Sequence, residues 1–273
     1  MKMTKNRTLT KINEKFYELN NENKFALMPF IMAGDPNIKI TSEILLKLQE
    51  NGADLIELGI PYSDPLADGP IIQLSASRAL RSGVTPKKVI KLLESLKGKL
   101  NIPIILFTYF NPLLSFGFEE FCDIVSSAGV SGLIIPDLPL EEANKFSKIV
   151  RNFSMDLILL VAPTTPFERM KMISNETRGF TYLVSVTGVT GERNKMENRV
   201  ENLINKLKEI SKKSVVVGFG ISSPEHVRKV REWGADGVII GSAFVKRIAN
   251  ASEKDVANQV GIFCKEMRIA ADQ

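Results

Sequence analysis

One histidine, two cysteines and no long apolar run set the first limits on this chain of 273 residues. A histidine-clustered metal site needs several imidazoles, so His226 alone excludes one, and a Ser-His dyad at a strand end is not expected either. His226 follows "SSPE", which reads as a helix start, and a surface place is expected for it. Cys122 and Cys264 stand far apart, each inside a helical pattern and neither in a CxxC pair. That spacing excludes a metal knuckle and points to structural thiols in a reducing compartment. The longest apolar run, "IPIILFTYF", stops at Asn111-Pro112, short of the roughly 20 residues that a membrane span needs. The N-terminal "MKMTKNRTLTKINEKF" has no hydrophobic core segment of the secretory type. A cytoplasmic protein is expected, in a bacterial cytosol or a plastid stroma, with no membrane partner.

Charge excludes another class. The net charge is +5, but the lysines of "KKVIKLLESLKGK" (87–99) and "KLKEISKK" (206–213) lie opposite apolar positions at helical spacing and are mixed with glutamate. They read as solvated helix faces. No aromatic residues interleave with them, so no nucleic-acid partner is expected.

What the chain does have is alternation. Eight short apolar runs recur: 26–33, 55–59, 103–109, 132–136, 157–162, 181–186, 214–219 and 237–241. They are nearly continuous in apolar residues, the mark of parallel strands covered on both faces. Amphipathic stretches such as 41–50, 118–128, 140–152, 196–211 and 223–233 separate them. A weak repeat, "NGADLIELG", "AGVSGLIIP" and "WGADGVIIG", puts a glycine and a short link before the second, fourth and eighth runs. Each copy reads as a helix ended by a left-handed glycine and followed at once by a strand. Eight strands with helical connectors give a (βα)8 TIM barrel, with an extra N-terminal helix marked by Ile12, Phe16 and Leu19. The competing fold is a doubly wound open sheet, but no GxGxxG follows the first strand. No linker divides the chain, so residues 1–273 read as a single TIM-barrel domain.

The most informative stretch is "LIELGIPYSDPLADGP" (55–70). Strand parity puts Leu55, Glu57 and Gly59 on one face and Ile56 and Leu58 on the other. The second face suits the helix layer, so Glu57 is expected to point into the barrel near its top. Burial there favours the protonated carboxyl and moves its pKa towards neutral, as a general acid/base requires. Pro61, Pro65 and Pro70 stiffen the following loop and could bring Asp68 back over the mouth. Two carboxylates in unlike environments can divide the work, one moving protons and one staying ionised. The same residues would also suit a structural ion pair or turn-forming aspartates.

Gly-Ser-rich turns follow the seventh and eighth strands, in "GFGIS" (218–222) and "GSAFV" (241–245), and "TGVTGE" (187–192) follows the sixth. Such turns let backbone N–H groups approach an anion at a helix start, where this fold often holds phosphate. Ordinary turn glycines would look alike. None of the eight runs contains a lysine, which excludes a Schiff-base aldolase. Lys24 and Lys213 precede strands and belong to the bottom face. Cofactor-free acid/base chemistry on a phosphorylated molecule remains.

The stretch "IELGIPYSDPLADGP" closely resembles the signature of the tryptophan synthase alpha chain family. The resemblance extends through "PFIMAGDP" (29–36), "IIQLSASRAL" (71–80), "YFNPLL" (109–114), "PDLPLEE" (136–142), "APTTP" (162–166), "YLVSVTGVTGER" (182–193) and "VVGFGISSPEHV" (216–227). It implies a (βα)8 barrel that cleaves indole-3-glycerol phosphate to indole and glyceraldehyde 3-phosphate. It further implies that Glu57 is the acid/base and that Asp68 accepts from the indole N–H and stabilises positive charge. Phe30, Phe107 and Phe219 would be parts of the indole pocket, Tyr182 would adjoin Glu57, Gly191, Gly220, Gly241 and Ser242 would form the phosphate cradle, and Thr190 would also touch substrate. Val186 stands where a polar or basic residue is common in the family, and Phe107-Thr108 where residues are smaller. The implied partner is a tryptophan synthase beta chain, in an alpha-beta-beta-alpha tetramer, touching Pro61 and Asp64, both expected to be exposed, the loop 186–194, and Asn111. Pyridoxal phosphate would belong to that partner, and this chain would carry no cofactor. Two rivals stand beside this reading. One is another phosphate-binding barrel, although Ala162-Pro163 supplies no acid at the end of strand five. The other is a non-catalytic ligand-binding subunit, for which an inward carboxylate would serve no purpose.

Overall fold

The computed structural model of the chain describes residues 9–184, 193–218 and 220–273, with 193–198 described by backbone alone. Along the chain run α1 (Lys11–Asn21), β1 (Ala26–Met32), α2 (Ile38–Glu50), β2 (Ile56–Gly59), α3 (Pro70–Arg81), α4 (Pro86–Leu96) and β3 (Ile104–Phe107). Then come α5 (Phe110–Phe116), α6 (Phe118–Ser127), β4 (Val130–Ile134), α7 (Leu140–Asn152), β5 (Asp156–Val161), α8 (Phe167–Glu176) and β6 (Phe180–Val184). The chain finishes with α9 (Arg193–Ile210), β7 (Ser214–Gly218), α10 (Pro224–Glu232), β8 (Gly237–Ile240), α11 (Ser242–Asn250) and α12 (Val256–Asp272).

The eight strands close in sequence order, with β1 paired to both β2 and β8 and every pairing parallel. The apolar runs had this consequence because strands covered by helices outside and side chains inside can hold few polar groups. The repeated glycines act as expected. Gly52, Gly129 and Gly234 have φ of +93°, +98° and +84°, and each ends a helix directly before β2, β4 or β8. Strand β4 starts two residues earlier than its apolar run suggests. Val130 pairs with Ile104 and Gly132 with Ile105, so Ser131 is the extra residue of a bulge.

Helix α1 lies under the barrel. Thr10 caps it, accepting from the Asn13 N–H, and donates to Asp156 at the start of β5 at 2.5 Å. Ile12 is fully buried, and its side chain fills the space left by Gly132 in β4 and Gly179 before β6. Phe16 packs on Phe180 of β6 with ring centroids 5.6 Å apart. Lys213, also on this bottom face, donates to the carbonyls of Ser174, Asn175 and Thr177 at the end of α8. Cys122 and Cys264 are buried, unpaired thiols, and burial pushes both up to about 12, which leaves them inert. His226 is half-buried at the start of α10, where its Nδ1 accepts from the Ser222 N–H at 3.3 Å.

Candidate active site

Strand β2 is where the packing rule is broken. Glu57 lies level with Phe30 of β1 and Ile105 of β3 and is 1% exposed. Its Oε1 has no hydrogen-bond partner among the described residues. A carboxyl without donors in an apolar shell is costly to ionise. Burial first, and then the negative charge of Asp68, raise its pKa to about 8. Glu57 therefore holds its proton at neutral pH and presents an unpaired oxygen to the barrel interior.

The loop after β2 returns over that oxygen. The Ile60 N–H extends the strand pairing by donating to the Phe107 carbonyl at 2.9 Å. Asp68 N–H then donates to the Pro65 carbonyl, and Gly69 caps α3 with Pro70 in its first turn. Tyr109, just past β3 and 1% exposed, holds the loop from below. Its phenol oxygen accepts from the Ala67 N–H at 3.1 Å, and the phenol beside Asp68 favours the ionised carboxylate. Burial raises Asp68 to about 6, while the Tyr109 hydrogen bond works against that rise. Glu57 and Asp68 thus share one proton near neutrality, and it resides on Glu57. Their titrations belong to the pair rather than to either acid alone.

The walls are aromatic. Phe30 and Phe107, 5% and 6% exposed, meet edge to face with centroids 5.8 Å apart. Tyr182 on β6 is buried, and burial and the charges of Glu57 and Asp68 keep its phenol well above its ordinary pKa. It fits because its neighbour on β7 is Gly218, where a Cβ would lie 2.4 Å from the tyrosine ring. Gly59 makes room in the same way for Phe30 and Met32. Across the mouth, a Cβ on Gly241 would meet Phe30 at 3.5 Å, and Ser242 opens α11 immediately afterwards. The first amides of α11 have no helical acceptor; its first intrahelical bond is from the Val245 N–H to the Gly241 carbonyl. Those amides and the helix dipole leave unused donors beside the aromatic wall, of the kind an anion can accept. Gly220 is exposed with φ of +75°, a left-handed turn between β7 and α10.

The structure therefore joins Glu57, Asp68, Phe30, Phe107, Tyr182, Gly241 and Ser242 around one mouth. Val186, Thr190, Gly191 and Phe219 lie outside the described residues. One rim assignment is corrected. Pro61 is buried rather than exposed, because the Ile60 pairing to Phe107 carries the chain inward for two residues past β2. Asp64 and Asn111 are exposed; Asn111 donates to the Tyr62 hydroxyl at 3.3 Å and so touches the loop.

Two functional contributors escaped the sequence reading. Tyr109 carried a signal, since it continues the inward parity of Phe107 two residues on. Asp35 carried none beyond its place in "AGDP". It is buried, accepts from both Nε and Nη2 of Arg78 at 2.8 and 2.6 Å, and is also bonded by Ser75. Arg78 and Ser75 are on α3, so Asp35 anchors the helix that ends the Asp68 loop. Removing one partner from such a pair costs about 3–5 kcal/mol.

A closed parallel barrel with a protonated carboxyl, a second carboxylate and a helix N-terminus at its C-terminal mouth defines a (βα)8-barrel enzyme subunit. Residues 16–272 match the family described as tryptophan synthase alpha chain, and the chain belongs to that family. The tryptophan synthase alpha chain of Prochlorococcus marinus subsp. pastoris is 79% identical over 98% of this chain and 96% of its own length. That of a Synechococcus species is 61% identical over 94% and 96%. The crystal structure of tryptophan synthase subunit alpha from Legionella pneumophila covers 97% of this chain and 99% of its own, at 35% identity and a TM-score of 0.89.

Proposed function

We propose that this chain cleaves indole-3-glycerol phosphate to indole and glyceraldehyde 3-phosphate, a carbon-carbon lyase reaction of tryptophan biosynthesis. The observation that carries the reading is the unpaired, protonated Glu57 carboxyl beside Asp68. Cleavage requires a proton on the ring carbon at the bond to be broken. Glu57 supplies it, and the positive charge that develops on the ring nitrogen is stabilised by ionised Asp68. Glu57, now a carboxylate, accepts the proton of the side-chain hydroxyl as the carbon-carbon bond breaks, and is restored. Phe30, Phe107 and Tyr182 would hold the flat ring, and the α11 amides with Gly241 and Ser242 would take the phosphate. Phe219, Thr190, Gly191 and Gly220 complete the proposed contacts. The test is indole formation from indole-3-glycerol phosphate by the purified chain. No indole, with or without a partner, would reject the reading.

The phosphate assignment has its own expected result. Gly241 has φ of −106°, open to any residue, whereas Gly220 at +75° would be strained by a side chain. Gly241→Val should therefore report on the site and not on backbone strain. Glycerol-phosphate affinity, measured by calorimetry, is expected to fall at least about tenfold, the effect of losing roughly one hydrogen bond to a charged group. Unchanged affinity would place the phosphate elsewhere.

The family implies a beta-chain partner, and a solved relative is tryptophan synthase from M. tuberculosis in its aminoacrylate-bound form. We place the contact at the loop after β2 and at Asn111, in an alpha-beta-beta-alpha tetramer whose beta chain holds the pyridoxal phosphate. The support is exposure on one rim: Leu66 is 87% exposed, and Asp64 and Asn111 lie beside it. A partner docked there would hold Asp68 over the substrate and exclude water. Asp64→Ala is expected to reduce stimulation by the beta chain more than it reduces the rate of the isolated chain, in a titration read by indole formation. Equal loss in both would remove Asp64 from the contact. A cytoplasmic or stromal location is proposed from the two free, buried thiols. No helix among the described residues is long and apolar enough to cross a membrane. The whole of residues 1–273 is proposed to be one domain.

A further inference from the structure

We infer that Tyr109 is a positioning residue that clasps the Asp68 loop shut and orients the Asp68 carboxylate; this rests on the catalytic reading of Asp68 given above. The Tyr109 hydroxyl meets that loop at the residue just before Asp68. It accepts from the Ala67 backbone N–H at 3.1 Å, which sets it beside Asp68, whose ionised form it favours. Its ring is fixed on two sides, edge-on to Phe107 at 6.0 Å and tilted over Tyr62 at 5.4 Å. Tyr62 is itself a loop residue, and its hydroxyl accepts from Asn111 at 3.3 Å. The phenol is thus a rigid peg rising from the end of β3, with the loop folded around it.

The choice of a phenol has a chemical reason. Asp68 makes no salt bridge to lysine or arginine among the described residues. A cationic partner would hold the carboxylate as firmly, but it would neutralise the charge needed opposite a cationic ring. A neutral donor orients one oxygen and leaves the negative charge available. Among the described residues, the other ionisable groups whose charges act here are Glu57 from β2, Tyr182 from β6 and Asp137 after β4, and none of them is a cation.

Tyr109→Phe removes the hydroxyl and keeps the ring contacts. Hydrogen bonds to charged groups have a size that predicts a fall in kcat/KM of about 10–100-fold, and an acid limb of the rate profile moved up by about one pH unit. The limb moves upward because the lost bond favoured the ionised form of Asp68. The experiment compares the full chain, Asp68→Asn, Tyr109→Phe and the double variant, with indole-3-glycerol phosphate as substrate. If Tyr109 acts through Asp68, the double variant loses no more than Asp68→Asn alone. A purely structural role predicts a lower unfolding temperature, an unmoved limb and losses that multiply, and that pattern overturns the inference. Asp68→Asn at the normal rate would overturn the catalytic reading itself, and this inference with it. A slow Asp68→Asn beside a normal Tyr109→Phe would overturn only the role of Tyr109.

Discussion

Glu57→Gln is expected to abolish measurable turnover while leaving substrate bound. Gln keeps the shape of the side chain but cannot release or take a proton, and positioned acid/base groups contribute about 10²–10⁴-fold. Here one group serves both proton transfers, so the loss should reach at least the upper end of that range. Indole release in a single-turnover assay, with substrate affinity measured separately, checks it. Near-normal turnover would remove Glu57 from the reaction and revive the non-catalytic subunit. The same residue sets one side of the pH window. Glu57 must be protonated to start, and its pKa is about 8; Asp68 must be ionised, and its pKa is about 6. The kcat/KM of the free enzyme should therefore peak between those values and fall on both sides. A linked effect on stability is also expected. The folded protein holds the Glu57 proton up to about pH 8, whereas the ordinary value is 4.5. The folded state therefore binds more protons than the unfolded one across that interval, and stability falls as pH rises through it. Glu57→Gln should lose this slope, which thermal unfolding at pH 5 and pH 8 would reveal.

Asp68→Asn carries the second large effect. The amide is isosteric and polar but has no charge to set against a developing cation. Removing one preorganised electrostatic contact of this kind typically costs about 10²–10³-fold in kcat. The loss should fall on kcat more than on substrate binding, because the ring is neutral in the ground state and cationic only later. It should also erase the acid limb near pH 6. A variant that keeps that limb would assign it to another group.

The barrel was legible from the sequence because its cause is local. Apolar runs uninterrupted by charge force burial on both faces, and Gly52, Gly129 and Gly234 mark where helices end and strands begin. Glu57 stood out by the same logic, as the one carboxylate inside such a run. What the sequence did not show was which distant residues meet around the mouth. Pro61 was expected to be exposed as a partner contact that the family resemblance implies, yet the backbone pairing of Ile60 to Phe107 draws it inward. The Asp35–Arg78 pair joins residues 43 positions apart, a separation at which spacing carries no information. Tyr109 lay between these cases: its parity was readable, but its grip on Ala67 and Asp68 depends on how the loop folds back.

The helix under the barrel gives the molecule a direction. With Ile12 seated against the strand starts at Gly132 and Gly179, the interior is a cup and not a tube. Among the described residues, α1 closes the strand starts, so whatever is released beside Glu57 faces the upper rim. That rim is also where Leu66, Asp64 and Asn111 are presented. Under the proposed reaction and the proposed contact, an apolar product leaving this cup would meet the partner before it meets bulk solvent. Handover then follows from the geometry of the vessel and needs no separate act of recognition by the chain that made the product.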